Sequence, residues 1–415
     1  MIQARDRDIV IIVDPFSTGA LYAPMFRARG YRCYAVLSSP SVPARFVDGF
    51  SGHAFEGREL LSLAECLKVV PAARVRAVVA GSELGVEAAE RLALHFGVAG
   101  NDPATSAWRR DKFEMQQRLA AAGLRGIPTA KLNEAGDTQR ALAQLGQGER
   151  FVIKPNNSFM TDGVEFIEGR QALEQALRWL EWGRINALGV RNSGYLVQAF
   201  VSGPEYVVDL VASATGTLVV GLSRYRKAEH NGSRFVYEGL EVLDPHDERF
   251  AALIAYARAC SAALDIGFGP VHMELLDSAD GPVMIEVGAR LHGGVAPSLF
   301  QECYAPDLLS VAVEAYLGFE LSSAASRLIR PGRIVFLINR RLGARLLQDE
   351  QRLAALQTIP SFRGFKPFAA PDEALPLTRD LASCPGIVWL AATREEELDR
   401  DERQVRQLFE EYLGE

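Results

Sequence analysis

The sequence predicts a mixed fold, α/β at the start of the chain and α+β beyond it. Three observations carry this. Up to about Pro103, short apolar runs alternate with helical stretches, the rhythm of a parallel sheet covered by helices. From Pro128 onwards, strand-like runs follow one another through short turns, which favours antiparallel pairing. Residues 326–415 combine strand-like runs, proline-rich loops and an acidic, arginine-rich terminal helix, the pattern of an appended subdomain. The 415 residues contain no internal repeat. At roughly 100–200 residues per domain they suffice for two to four domains.

Taken in order, Ile9–Val13 is apolar and largely β-branched, as in a buried strand. Asp14 to Gly19 reads as a turn, and a helix runs on to Arg29. Tyr31–Leu37 and Arg74–Ala80 are the next strands, and Ser82–Phe96 is a helix. Thr105–Ala122 has the spacing of one amphipathic helix, stopped at Gly123. The later strands are Phe151–Pro155, Gly163–Glu168, Tyr195–Val201, Glu205–Ser213 and Thr217–Ser223, with a helix near Gln171–Trp182. A helix over about Asp247–Leu264 precedes a hairpin of Val271–Leu276 and Val283–Val287. In the tail, Arg333–Ile338 and Gly386–Ala391 read as strands.

Composition narrows the function classes. At 48% hydrophobic and 23% charged residues, the chain is ordinary for a soluble globular protein. No apolar run approaches the ~18–20 residues that span a bilayer. Met1–Asp8 is polar and charged, with no signal-peptide pattern, so neither export nor membrane insertion is expected and a cytoplasmic location is. Forty-five basic against 52 acidic residues give a net charge of −7, which argues against a general nucleic-acid binder. Cys33, Cys66, Cys260, Cys303 and Cys384 are scattered without a C-x-x-C pair, so reduced thiols fit better than zinc or disulfides. Only Lys68, Lys112, Lys131, Lys154, Lys227 and Lys366 are lysine; the other basic residues are arginine. A compact ammonium is not interchangeable with a planar guanidinium at a phosphate, so the few lysines are worth following.

Four segments could carry chemistry. In the hairpin, a turn centred near residue 280 sets Glu274 opposite Glu286, among apolar neighbours. Facing side chains lie about 4.5–5.5 Å apart at Cβ, and two carboxylates that close repel unless a cation lies between them. A magnesium ion suits the pair, and so does a buried arginine such as Arg290. Gly288-Ala289-Arg290-Leu291-His292-Gly293-Gly294 follows at once, and a guanidinium there can stabilise charge on a transferring phosphoryl group. Lys154 closes a strand ahead of a small polar loop, 156–163, whose backbone N–H groups could cover phosphates. Tyr195 to Glu205 is an apolar strand that leaves through Ser202-Gly203-Pro204 and stops at a carboxylate. An edge strand and hairpin explain that last segment equally well. The chain has no G-x-x-x-x-G-K-S/T, no G-x-G-x-x-G and no G-x-S-x-G.

In this order and spacing, the features of residues 1–320 resemble the ATP-grasp superfamily. The resemblance implies an ATP-grasp fold with an N-terminal Rossmann-like domain (1–103), a linking helix with a small lid subdomain (104–200), a large subdomain (201–325) and a C-terminal subdomain (326–415). It implies that Lys112 and Lys154 hold ATP phosphates, that Ser158 and Gly163 belong to a lid closing over them, that Gln198, Ala199 and Val201 form the adenine hinge, that Glu205 holds ribose, and that Glu274 and Glu286 bind Mg²⁺, with Mn²⁺ as a substitute. The hinge is similar to that of D-alanine–D-alanine ligases, but those usually carry Asn where this chain has Gly288. Glu286-Val287-Gly288-Ala289-Arg290 resembles instead the L-amino-acid ligases that make dipeptides, where the arginine is catalytic. Many of those ligases have His directly after the glycine matching Gly239; here Leu240 follows, so that either His230 or His292 takes over its charge-stabilising work or nothing does.

The resemblance therefore implies a carboxylate–amine ligase joining two L-amino acids through an acyl phosphate, with small-molecule partners and a homodimer left open. The alternatives are a carboxylase-type enzyme that makes carboxyphosphate and a nucleotide-binding regulator without turnover.

Overall fold

The structure is a computed structural model that describes residues 7–145, 148–156, 163–186, 191, 192, 194–321, 325–346, 350–370, 373–411, 413 and 414. It contains three principal sheets. Strands β1 (Ile9–Val13), β2 (Arg32–Leu37), β3 (Leu60–Ser62) and β4 (Val75–Ala80) form a parallel sheet in the order β3-β2-β1-β4. Every residue of β1 is buried because both faces are covered: Ile9, Ile11 and Val13 enter one apolar core, Val10 and Ile12 another.

Two helices depart from expectation for local reasons. The helix after β4 begins at Val86, not Ser82. Gly81 and Gly85 run against β1 so closely that a Cβ would lie 2.6 Å from the Asp14 carbonyl oxygen and 2.7 Å from that of Val13. Residues 82–85 therefore stay outside the helix, and Glu83 is free to point elsewhere. The single helix expected over 105–122 is two, Ala107–Arg110 and Lys112–Ala121, broken at Asp111. Asp111 has extended φ/ψ of −98° and 115°, and its carboxylate accepts from the N–H groups of Phe113 (2.8 Å) and Glu114 (3.1 Å). This is an N-cap inside what reads as a continuous periodic stretch.

The second sheet comprises β5 (Thr129–Leu132), β6 (Arg150–Pro155), β7 (Glu165–Glu168) and β8 (Tyr195–Ala199), antiparallel in the order β5-β8-β6-β7. Helices Thr138–Gln144 and Arg170–Arg178 cover it, with Leu142, Leu173 and Leu177 buried against Phe151 and Val197.

The third sheet is the largest. Strands β9 (Glu205–Ser213), β10 (Gly216–His230), β11 (Ser233–Leu243), β12 (Gly269–Ser278) and β13 (Gly281–Gly288) run β13-β12-β9-β10-β11, and the sheet continues through Gly332–Phe336, Gly386–Ala391 and Phe362–Pro367. The tail thus adds three antiparallel strands to the main sheet. The last of them, read as loop from its prolines, is an edge strand, where proline is tolerated. Strand β10 extends seven residues beyond the expected end at Ser223 because it pairs with β11. Asn231 and Gly232 turn the chain with φ of 50° and 77°, the two positive values an Asn-Gly hairpin turn needs.

Alternation along these strands sorts residues by face. Val271, Met273 and Leu275 pack with Leu253, Ala257 and Cys260 of the helix Ala251–Ala263. Glu205, Asp209, His272 and Glu274 belong to the other face. Helices Ala296–Cys303 and Leu308–Tyr316 pack there beside them, and both are largely buried.

Candidate active site

The hairpin register places Glu274 directly opposite Glu286 and His272 opposite Gly288. Pairing slips just beyond, where Leu275 meets Met284, so Ile285 is an extra residue in β13. Such a bulge bends the strand at the point where the carboxylates converge. Lys112, the first residue of its helix, brings Nζ to 2.9 Å from Oε2 of Glu286. Lys154 is buried at the end of β6. Burial pushes its ammonium down to about 8, the charge of Lys112 adds to this, and Glu286, Glu274 and Glu205 oppose it. Burial alone would raise the Glu286 carboxyl, but Lys112, Lys154 and Arg290 outweigh it and hold the group well below the usual range.

Glu205 lies two residues before Val207, the β9 partner of Glu274. Both its oxygens accept from Lys227 Nζ, at 2.8 and 2.7 Å, and this ammonium also sits 4.0 Å from the centre of the Tyr237 ring. Burial raises the Glu205 carboxyl, Lys227 pulls the other way, and Glu274 adds to the rise. Lys131 donates to Asp111 Oδ2 (3.1 Å), as does Asn156 Nδ2 (2.7 Å). Four of the chain's six lysines therefore gather here, while Lys68 and Lys366 are exposed. Lys227 and Lys131 went unrecognised from sequence; their rarity in an arginine-rich chain was the available signal.

Asp111 ties the start of the Lys112 helix to β5, through Lys131, and to the end of β6, through Asn156. Asp111→Ala is expected to cost about 1–2 kcal/mol through the lost cap, read as a lower urea midpoint.

Arg290 pairs with neither metal-type carboxylate. Its Nε donates to Glu83 Oε2 at 2.9 Å, its Nη1 to the Leu291 carbonyl at 2.8 Å, and Glu83 also pairs with Arg110. A Cβ on Gly288 would lie 2.7 Å from Glu83 Oε2 and 3.1 Å from Arg290 Cζ. The Glu83–Arg290 pair thus takes the room an asparagine at 288 would need. Glu83, 207 residues from Arg290, was not found from sequence.

The remaining candidates are placed as follows. His292 is buried, with Nδ1 2.9 Å from Asp209 Oδ2 and Nε2 3.4 Å from the Tyr225 hydroxyl. His230 closes β10, with Nε2 2.8 Å from Glu238 Oε1. Ser223 is level with Val207 and Glu274 across the sheet, and His230 lies seven residues further along β10, on the order of 20 Å away at ~3.3 Å per residue. The structure does not bring His230 to the carboxylate pair. Leu240, in register with Tyr225, is buried in the core. Gln198 donates from Nε2 to Thr129 Oγ1 (2.8 Å), and the Ala199 N–H donates to the Pro128 carbonyl (3.0 Å). The turn after Val201 lies against the end of β12, where the Asp277 N–H donates to the Pro204 carbonyl (3.0 Å). Gly163 adopts φ of 69° beside Pro155, while Ser158 and most of the loop 156–163 lie outside the described residues.

Two antiparallel sheets behind a parallel N-terminal sheet, with lysines from one side meeting carboxylates from the other, define an ATP-grasp architecture. Residues 147–298 match the ATP-grasp domain family. The chain thus carries a segment matching the ATP-grasp domain and resembles the L-amino-acid ligases in fold. It is 28% identical over 399 residues to dapdiamide A synthase of Enterobacter agglomerans, covering 92% of each chain. An L-amino acid ligase from Bacillus licheniformis has the same fold, with a TM-score of 0.74 and 18% identity over 98% of both chains. A carboxyaminoimidazole ribonucleotide synthase from Aspergillus clavatus, solved with ATP, superimposes with a TM-score of 0.71 and 14% identity over 98% of this chain and 99% of the other. Among the described residues, no helix is long and apolar enough to cross a membrane.

The donor set fits a nucleotide with its divalent cation. Two facing carboxylates supply hard oxygen ligands, and the ammonium groups beside them suit phosphate oxygens.

Proposed function

We propose that this chain is an ADP-forming ligase that joins two L-amino acids. The observation that carries the reading is the convergence of Lys112 and Lys154 on the facing pair Glu274 and Glu286, with Arg290 four residues beyond. In this reading Glu274 and Glu286 hold Mg²⁺, or Mn²⁺ in its place, which neutralises phosphate charge when bound. Lys112 and Lys154 bind the phosphates as compact cations. Gln198, Ala199 and Val201 line the adenine hinge, Ser158 and Gly163 belong to the covering loop, and Glu205 takes the ribose hydroxyls, with Lys227 fixing its orientation. Transfer of the γ-phosphoryl group to a substrate carboxylate gives an acyl phosphate and ADP. The amine of the second amino acid then attacks, the C–O bond to phosphate breaks, and phosphate leaves. Arg290, oriented by Glu83, stabilises the charge that develops in both steps.

The names of the relatives, dapdiamide A synthase and L-amino acid ligase, support amide-bond formation. The Glu286 to Arg290 pattern favours it over carboxyphosphate chemistry on the same fold. The test is release of ADP and phosphate over a matrix of amino-acid pairs, with mass spectrometry of products. Dipeptide formed with stoichiometric ADP is expected. ADP release that requires bicarbonate and no second amino acid would replace the reading with a carboxylase-type one, and nucleotide binding without turnover on any pair would favour a regulator.

A pH effect follows from Lys154. Its charge is present below about pH 8 and lost above, while bound phosphate favours the charged form. ATP affinity is expected to be flat from pH 6.5 to 7.5 and to fall towards tenfold per pH unit above 8, by calorimetry. Lys154→Arg should flatten the fall, since a guanidinium keeps its charge.

A further inference from the structure

Behind Glu274, away from the lysines, lies a buried chain of polar groups that the proposed reaction does not use. Asp209, His272 and His292 are each at least 95% buried. His272 Nδ1 is 3.3 Å from Asp209 Oδ1, and its Nε2 is 3.3 Å from Glu274 Oε1. His292 Nδ1 is 2.9 Å from Asp209 Oδ2, and its Nε2 faces the Tyr225 hydroxyl at 3.4 Å. The two imidazoles lie 4.2 Å apart, and the His292 ring meets the edge of Phe300. Gly221 lies opposite Asp209 in β10, where a Cβ would crowd Phe300 at 3.3 Å and be in ordinary contact with Asp209 Oδ2 at 3.5 Å.

The donors and acceptors of this chain assign themselves. Ionised carboxylates only accept, so both nitrogens of His272, each facing one, donate. His292 donates its Nδ1–H to the second oxygen of Asp209 and accepts the Tyr225 hydroxyl proton at Nε2. The sequence of bonds runs Tyr225 to His292 to Asp209 and, from the other end, His272 to both Asp209 and Glu274. One oxygen of Glu274 is thereby held.

We propose that His272 and Asp209 are positioning residues for Glu274: the imidazole clamps Oε1 through Nε2, so the second oxygen is presented towards Glu286 in one orientation, and Asp209 fixes the imidazole from its Nδ1 side. This rests on the reading of Glu274 and Glu286 as the cation-binding pair. A partner that orients a ligating carboxylate typically changes metal affinity about 10–100-fold when removed.

The experiment measures Mn²⁺ binding by electron paramagnetic resonance in the presence of a non-hydrolysable ATP analogue, on the full chain. The variants are His272→Gln, His272→Leu and Asp209→Asn, with Glu286→Gln as control; circular dichroism and thermal melting verify the fold of each. His272→Leu and Asp209→Asn are expected to weaken Mn²⁺ binding about 10–100-fold. His272→Gln, whose amide can still donate to Glu274, should recover part of the loss, which mere loss of core packing would not allow. In turnover assays the His272 variants should raise the Mg²⁺ requirement more than they lower kcat at saturating Mg²⁺. Folded His272→Leu protein that binds Mn²⁺ as tightly as the wild type, while Glu286→Gln does not, would overturn the proposal and leave the site reading standing. Undiminished Mn²⁺ binding in Glu286→Gln would instead overturn the site reading itself. Stoichiometric zinc in the purified protein, lost in His292→Ala, would also overturn the proposal, because the trio would then be a metal site of its own.

Discussion

Glu286→Gln is expected to lower turnover on the order of 10³-fold, roughly 4 kcal/mol of barrier, while the protein stays folded. Two effects act together under the proposed reading. The neutral amide is a poor ligand for a hard divalent cation, and Lys112, now 2.9 Å from an uncharged oxygen or nitrogen, loses the partner that orients it. The substitution preserves volume, so the bulge at Ile285 and the register with Glu274 should persist. The measurement is kcat at saturating ATP with Mg²⁺ varied, beside a thermal melt. A variant with wild-type kcat at high Mg²⁺ would show that Glu286 serves only as a counter-charge to Lys112.

Arg290→Ala is expected to lower kcat about 10²–10³-fold, roughly 3–4 kcal/mol, with little change in ATP affinity. The ground-state nucleotide is held by Lys112, Lys154 and Glu205, and the guanidinium acts where charge develops. Lysine should rescue poorly. The Arg290 guanidinium already holds Glu83 through Nε and the Leu291 carbonyl through Nη1, and an ammonium cannot keep those two contacts while also reaching a substrate oxygen. Separate measurement of nucleotide Kd and kcat in both variants decides. If both lose nucleotide binding and stability together, Arg290 is a strut between the N-terminal sheet and the hairpin. Glu83→Gln distinguishes the two roles further, since loss of kcat with an intact fold would mark Glu83 as the group that aims Arg290.

What was readable and what was not divides by sequence distance. Opposition of Glu274 and Glu286 follows from a short turn and the period of two, both local, so the hairpin was legible residue by residue. The same holds for β1, whose apolar run needs both faces covered, and for β9, whose ends match expectation. Local signals were also passed over. Asp111 followed by Glu114 is a helix start, and Asn231-Gly232 is a hairpin turn, yet periodicity masked the first and charge along β10 the second.

The order of lysines, hinge and carboxylates along the chain determined the class of fold, because that order reflects which strand each residue must occupy. Only the tertiary structure decided the partners. Glu83 reaches Arg290 across 207 residues because glycines at 81 and 85 press its turn against β1 and Gly288 leaves the space open. Asp209 meets His272 and His292 because β9, β12 and the loop after β13 bring them to one buried place, and Lys227 meets Glu205 through cross-strand register. No local pattern encodes such contacts: a carboxylate in a strand reads the same whether its neighbour is water, a lysine or an imidazole, and the neighbour is chosen only when distant strands pack and burial makes an unpaired charge too costly to keep.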